Sequence, residues 1–292
     1  MFIRRMQLIL PLLAAALVTS QLAAAEPYTQ TKNVVFAEVD GVGLVMDVFT
    51  PTGPSNGLGI VDVASGAWYS DRGKIEDHRR AQMFDIYCGK GYTVFAVRPG
   101  SITKFSLPEM AANLKQAIQW VKEHGGEYKI DPNRLGLTGA SAGGHLASLV
   151  AVTADDKTAV KAAGVFFPPT DFSSYRGMKI DESTPPAMLE RVQRFVSSNG
   201  AAPASTSELV EKLKQVSPAL LVTAKAPPFL IIHGDADPLV PLDQSRKLLA
   251  ALQAANVPAE LIVKKGGAHP WPTIHEEVQV MADWFDKQLD AK

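Results

Sequence analysis

The sequence predicts an α/β fold: a mostly parallel central sheet of about eight strands with helices on both faces. Three observations carry this expectation. From residue 58 onward, short apolar runs alternate with segments of helical periodicity, the order produced by right-handed βαβ units. Those runs are nearly continuous in apolar residues rather than alternating, as strands covered on both faces require. A hydrophobic content of 46% over 292 residues supplies a large core.

The elements follow in chain order. Residues 34–39 and 44–49 are β-rich runs separated by Asp40-Gly41-Val42-Gly43, an antiparallel hairpin at the sheet edge. A Pro/Gly-rich turn at 51–57 leads into runs at 58–63, 92–97, 134–138, 160–167, 229–233 and 260–264. Met110, Leu114, Ala117, Ile118 and Val121 share one helical face behind Pro108-Glu109, which suit a first turn. Ile274, Val278, Met281, Phe285 and Leu289 form a second stripe after Pro272. Residues 171–217 break the alternation. They are polar, contain Pro185-Pro186 and a Ser/Ala/Pro-rich piece at 198–207, and hold two candidate helices near 187–196 and 207–215. We read them as a cap-like insertion over the carboxyl edge of the sheet, where α/β proteins bind ligands.

The first 25 residues read as a secretory signal. Arg4 and Arg5 precede an apolar stretch from Leu8 to Val18, and Ala23-Ala24-Ala25 offers a cleavage site before Glu26. The apolar stretch is shorter than the roughly 20 residues that span a bilayer. The expectation is therefore export to the periplasm or beyond the cell, with residues 26–292 as one domain and no membrane attachment after cleavage. Cleavage takes the formal charge from −1 to −3, because the segment holds two arginines and no acid. So mild a charge argues against a nucleic-acid partner. The single cysteine, Cys88, lies in an apolar context and reads as a buried small hydrophobe. No Cys/His cluster with metal-ligand spacing is present, so neither metal nor cofactor is expected. No feature specifies an oligomeric state.

The chemistry concentrates at Gly139-Ala140-Ser141-Ala142-Gly143, between the run at 134–138 and a helical segment from Gly144 to Val152. A sharp strand-to-helix turn tolerates only small neighbours around its central residue, and it exposes that residue's side chain. A serine so placed is a candidate nucleophile, and the chain must then supply a base and an orienting acid. Two later runs end in suitable loops: 229–232 leads into His233-Gly234-Asp235-Ala236-Asp237, and 261–263 leads into Gly266-Gly267-Ala268-His269. The chain order is Ser, Asp, His.

With these motifs, and with Asp131-Pro132-Asn133-Arg134 ahead of the nucleophile strand, the chain resembles the α/β-hydrolase superfamily over about residues 34–290. The likeness is to its esterase/lipase branch, which includes hormone-sensitive-lipase-like and feruloyl-esterase-like enzymes. The resemblance implies Ser141 as nucleophile, His269 as base and Asp237 as orienting acid. Asp235, two residues away, is the rival, and the family pattern His-Gly-x-x-Asp-x-x-Val-Pro favours Asp237. His145, one turn beyond Ser141, is expected behind the turn, and His233 in support of its loop. His275 is expected on a helix surface, and His78 and His124 have no catalytic context.

The oxyanion loop departs from the family pattern. Where the branch carries His-Gly-Gly-Gly or His-Gly-Gly-Ala-Trp, this chain has Ala64-Ser65-Gly66-Ala67-Trp68. Because backbone amides donate to the oxyanion, Gly66, Ala67 and Ala142 are the implied donors. Val97-Arg98-Pro99-Gly100 departs too, and is expected to alter the pocket wall. Trp68, Trp271 and Phe105 are candidates for lining the substrate pocket.

The resemblance implies a secreted carboxylic ester hydrolase working through an acyl-enzyme. The short insertion favours short acyl or carbohydrate-linked esters, acetyl or feruloyl, as small-molecule or polysaccharide-linked substrates. One alternative is an exported peptidase similar to the catalytic domain of prolyl-oligopeptidase-type enzymes. Another is a non-catalytic binding protein whose oxyanion loop has degenerated.

Overall fold

The structure is a computed structural model describing residues 26–197 and 203–290. The expected signal segment and part of the Ser/Ala/Pro-rich piece lie outside the described residues.

The chain opens with β1 (Tyr28–Val39) and β2 (Val42–Pro51), the expected hairpin, each strand longer than its apolar run. There follow β3 (Gly59–Val63), α1 (Arg72–Arg80), α2 (Met83–Gly89), β4 (Thr93–Arg98), α3 (Leu107–Glu123), β5 (Leu135–Ala140), α4 (Ala142–Val152) and β6 (Ala162–Phe166). The segment between β6 and the next long strand holds a short hairpin, β7 (Ser174–Tyr175) and β8 (Met178–Lys179), then α5 (Pro186–Val196), α6 (Thr206–Gln215) and a 3-10 turn at Pro218–Leu220. Then come β9 (Phe229–Gly234), α7 (Leu242–Ala254), β10 (Ala259–Lys264) and α8 (Ile274–Asp290).

Eight strands form one sheet in the order β1-β2-β4-β3-β5-β6-β9-β10. The β1-β2 and β2-β4 pairs are antiparallel, and every later pair is parallel. Burial follows position. All residues of β3, β6 and β9 are buried, whereas the edge strands β1 and β10 are partly exposed along their length. One face of the sheet is covered by α3, α4 and α7, through Leu114, Ile118, Leu146, Val150 and Leu248. The other is covered by α1, α2 and α8, through Ile75, Phe84, Met281 and Phe285.

Local signals explain the helix ends. The Glu109 carboxylate accepts from the Ser106 amide at 2.7 Å and starts α3, and the apolar stripes expected for α3 and α8 are the buried ones. Helix α1 has no stripe to read, because only Ile75 and His78 of its nine residues are buried. Cys88 is buried, and burial pushes its thiol pKa up to about 12, which makes it an inert packing residue. Among the described residues no helix is long and apolar enough to cross a membrane.

Candidate active site

Ser141 stands between β5 and α4 with φ 54° and ψ −121°, a conformation that costs a non-glycine residue about 1–3 kcal/mol. Close packing holds it there. A Cβ on Gly143 would lie 2.3 Å from the Val63 carbonyl oxygen, and one on Gly139 would lie 2.6 Å from the Gly143 backbone. The α4 N-terminus thus sits against the end of β3, and the Gly143 amide donates to the Ser65 carbonyl at 3.0 Å. Gly143→Ala is expected to cost about 3 kcal/mol, a fall of about 6–12 °C in Tm. Gly126→Ala, with no atom within 4 Å of its new Cβ, is the control, and equal melting of the two variants would refute the close approach.

The sheet order brings three loops together at the carboxyl ends of β5, β9 and β10. His269 Nε2 lies 2.9 Å from Ser141 Oγ, and its Nδ1 lies 2.6 Å from Asp237 Oδ2. A carboxylate only accepts, so Nδ1 carries the proton and Nε2 is free to accept from the hydroxyl. Asp237 Oδ1 accepts from the Leu239 and Val240 amides at 2.8 and 2.9 Å. Burial, the largest influence on Asp237, acts to raise its pKa. Hydrogen bonds from His233, His269 and Val240 outweigh it and hold the carboxyl well below the usual range, so it is an anion at neutral pH. Asp235 is exposed and accepts instead from the Gly266 amide at 2.6 Å, bracing the loop that carries His269. The arrangement can move the Ser141 proton onto His269 while Asp237 stabilises the imidazolium.

Of the remaining histidines only His233 reaches this chain of bonds, with its Nε2 3.4 Å from Asp237 Oδ2. His145 is fully buried behind the turn, and His233 hydrogen-bonds the Val240 carbonyl and Ser245. His78 is buried against Asp62, with its Nδ1 2.7 Å from the carboxylate. His124 stacks on Trp120, and His275 is half-buried on α8.

The loop after β3 corrects one expectation. The Gly66 amide donates to the Tyr69 carbonyl at 3.0 Å and Tyr69 donates back at 2.9 Å, so Gly66 is committed to its own turn. Ala67 and Trp68, the two central residues, have φ of 48° and 61°. Positive φ at both centres is the hallmark of a type I′ turn, and here neither residue is glycine. Of the expected donors, the amides of Ala67 and of Ala142, the first residue of α4, remain. Ala142 adds the positive end of a helix.

Two adjoining cavities open here. The first, about 920 Å³, is lined by Ser141, His269, Ala67, Trp68, Phe167 and Trp271 among others. The second, about 730 Å³, lies under α5 and is walled by Phe172, Met188, Val192 and Phe195. Trp68 and Tyr175 border both. Trp271 is nonetheless largely core, 4% exposed, with its indole donating to Glu277 at 2.6 Å. Phe105 is a correction. It is buried against Gly100 and lines neither cavity, nor does the turn at 97–100. Sequence reasoning missed Phe172, Phe195 and the β7-β8 hairpin. In that hairpin the Tyr175 hydroxyl donates to the Leu239 carbonyl at 2.9 Å, and Arg176 donates to the Leu239 and Pro238 carbonyls. Two-residue strands leave no periodic signal to find. Among the described residues no group of three or more His, Cys, Asp or Glu is placed to share a metal ion.

Comparison with known proteins places this chain in a family. The BD-FAE family model matches residues 46–252. The chain belongs to the BD-FAE family. The BD-FAE match runs from β2 into α7, so it holds Ser141 and Asp237 and ends before His269. The chain is similar to a probable carboxylic ester hydrolase, LipM, of Mycobacterium tuberculosis, at 29% identity over 66% of this chain and 44% of that protein. It is similar also to the esterase LipQ of the same organism, at 29% identity over 72% and 49%. It thus spans about half the length of the curated relatives it matches. Among solved structures, a truncated carbohydrate esterase from gut microbiota superposes with a TM-score of 0.76, at 24% identity over 92% of this chain and 99% of that one. A butyrate-bound esterase from Thermogutta terrifontis gives 0.68, at 23% identity over 89% and 94%. These likenesses identify the architecture of this BD-FAE protein as the α/β-hydrolase fold.

Proposed function

We propose that the protein is an exported serine carboxylic ester hydrolase acting through an acyl-enzyme on short acyl or carbohydrate-linked esters, acetyl or feruloyl. The observation that carries the reading is His269 hydrogen-bonded at once to Ser141 Oγ and to the buried Asp237 carboxylate. In this mechanism Ser141 Oγ attacks the ester carbonyl carbon as His269 Nε2 takes its proton. The amides of Ala67 and Ala142 donate to the tetrahedral oxyanion. Collapse expels the alcohol, protonated by His269, and water then hydrolyses the acyl-enzyme by the same relay. The names of the relatives, carboxylic ester hydrolase, esterase and carbohydrate esterase, support an ester as the bond cleaved. The residue order of 1–25 supports export.

The second cavity favours an aromatic acyl group. Acetyl needs no room beyond the Ser141 cleft, whereas the aromatic side chains of Trp68, Phe172 and Phe195 line the second cavity. The test is hydrolysis of p-nitrophenyl esters from acetate to dodecanoate, together with methyl ferulate and acetylated and feruloylated xylan. Short esters and ferulate are expected to turn over and dodecanoate to be poor. Phe195→Ala is expected to raise KM for ferulate by about 3- to 10-fold and to leave acetate unchanged within about twofold. Cleavage of aminoacyl-proline amides but not esters would replace this reading with a peptidase. Rates no better than those of Ser141→Ala across the series would leave a binding protein.

A further inference from the structure

The turn that carries Ala67 is not held by its own preferences, since two successive non-glycine residues adopt positive φ within it. Something outside the turn must fix it. The Trp68 carbonyl accepts from the Ile102 amide at 2.8 Å, and the Trp68 indole Nε1–H donates to His145 Nδ1 at 3.1 Å. His145 belongs to α4, four residues past Ser141, and its amide donates to the Ser141 carbonyl at 2.8 Å. Its other ring nitrogen, Nε2, donates to the Val216 carbonyl at 2.7 Å, at the end of α6. Phe172 packs edge-on against both rings, at 5.7 Å from Trp68 and 4.9 Å from His145.

These partners determine the imidazole. An indole N–H only donates and a carbonyl only accepts, so Nδ1 is bare and Nε2 carries the single proton. A charged ring would present a second N–H to the indole and lose that bond. Burial favours the neutral form and lowers the pKa to about 4.

We propose that His145 is a positioning residue for the oxyanion donors. Through the Trp68 indole it sets where the Ala67 amide stands relative to Ser141 and Ala142. The proposal rests on the hydrolase reading above and adds to it a residue that never touches substrate.

Two kinds of readout test it, on the full-length protein. In steady-state hydrolysis of p-nitrophenyl acetate, His145→Leu is expected to lower kcat by about 10- to 100-fold, with KM unchanged within about threefold, as for a displaced oxyanion donor. His145→Gln, whose amide can accept and donate at once, is expected to recover part of the loss. Trp68→Phe keeps the ring, removes the N–H and is expected to match His145→Leu, and the double variant to be no worse than either. Should His145→Leu fail to fold, an unchanged kcat in Trp68→Phe overturns the proposal. So do losses that multiply in the double variant. The second readout needs no activity. The Trp68 indole N–H resonance, assigned by its disappearance in Trp68→Phe, is expected to move in His145→Gln. An unmoved resonance overturns the tie itself. A wild-type protein inactive on every ester, with the resonance moving as expected, refutes the hydrolase reading, and with it the assignment of an oxyanion role, while leaving the tie standing.

Discussion

Ser141→Ala is expected to reduce kcat/KM for p-nitrophenyl acetate by on the order of 10⁶-fold, with an unchanged circular dichroism spectrum and Tm. The loss is large because the proposed mechanism uses Ser141, His269 and Asp237 as one relay, joined by bonds of 2.9 and 2.6 Å. His269→Ala is expected to cost about as much, and Asp237→Asn on the order of 10⁴-fold, since the amide cannot select the Nδ1–H tautomer. Combining Ser141→Ala with His269→Ala is expected to cost no more than either alone. Losses that multiply, or a Ser141→Ala variant retaining more than about 1% of activity, would mean that the three residues are not a catalytic unit.

His78→Leu is expected to lower Tm by about 10 °C or more. Asp62 lies mid-strand in β3 with its side chain fully buried, and His78 of α1 is the ring bonded to it, Nδ1 to Oδ2 at 2.7 Å. Removing the imidazole strands a carboxylate inside the protein, a change worth about 3–5 kcal/mol. Asp62→Leu combined with His78→Leu is expected to be milder than His78→Leu alone, because no charge is then left unpaired. If both variants melt together, the pair contributes packing and nothing more.

The same pair gives stability a pH dependence. Burial alone would lower the His78 pKa. The Asp62 carboxylate outweighs it, with Asp77 adding to the rise and Lys74 opposing it, and the folded value is raised. The pair's contribution is therefore complete below the unfolded value of about 6.5 and is lost as pH rises through the folded value. His145 behaves oppositely. Its folded pKa of about 4 makes its contribution complete above about pH 6.5 and lost as pH falls toward 4, a span worth about 3 kcal/mol. Wild-type Tm is expected to decline on both sides of near-neutral pH, and the Asp62→Leu, His78→Leu double variant to lose the part of the alkaline decline that belongs to His78.

Much of this geometry was legible because it is written in short-range signals. The apolar runs marked the strands of the parallel sheet, and small residues around Ser141 marked the turn that exposes it. Asp237 and His269 could be expected to meet because each follows a strand and the sheet gathers strand ends at one edge. The conformation of the loop after β3 was not legible. Ala67 and Trp68 carry no preference for positive φ, and what holds them, His145 and Ile102, is distant in sequence. Helix α1 was missed for a related reason, since its buried side includes His78, bonded to Asp62, rather than an apolar stripe. Gly66 was read as a donor because composition says nothing of where an amide points, and the bond from its amide across the turn to the Tyr69 carbonyl decided it.

Tyr175 and Arg176 grip the carbonyls of Pro238 and Leu239, and the amides of Leu239 and Val240 in turn hold Asp237. The segment that roofs the cavity and the loop that aims the base are thus one mechanical part. Any displacement of the β7-β8 hairpin therefore either breaks these bonds or carries the Asp237 loop with it. For the hydrolase proposed above, the position of the hairpin and the alignment of the acid are then one variable, so that a substrate displacing the first disturbs the second.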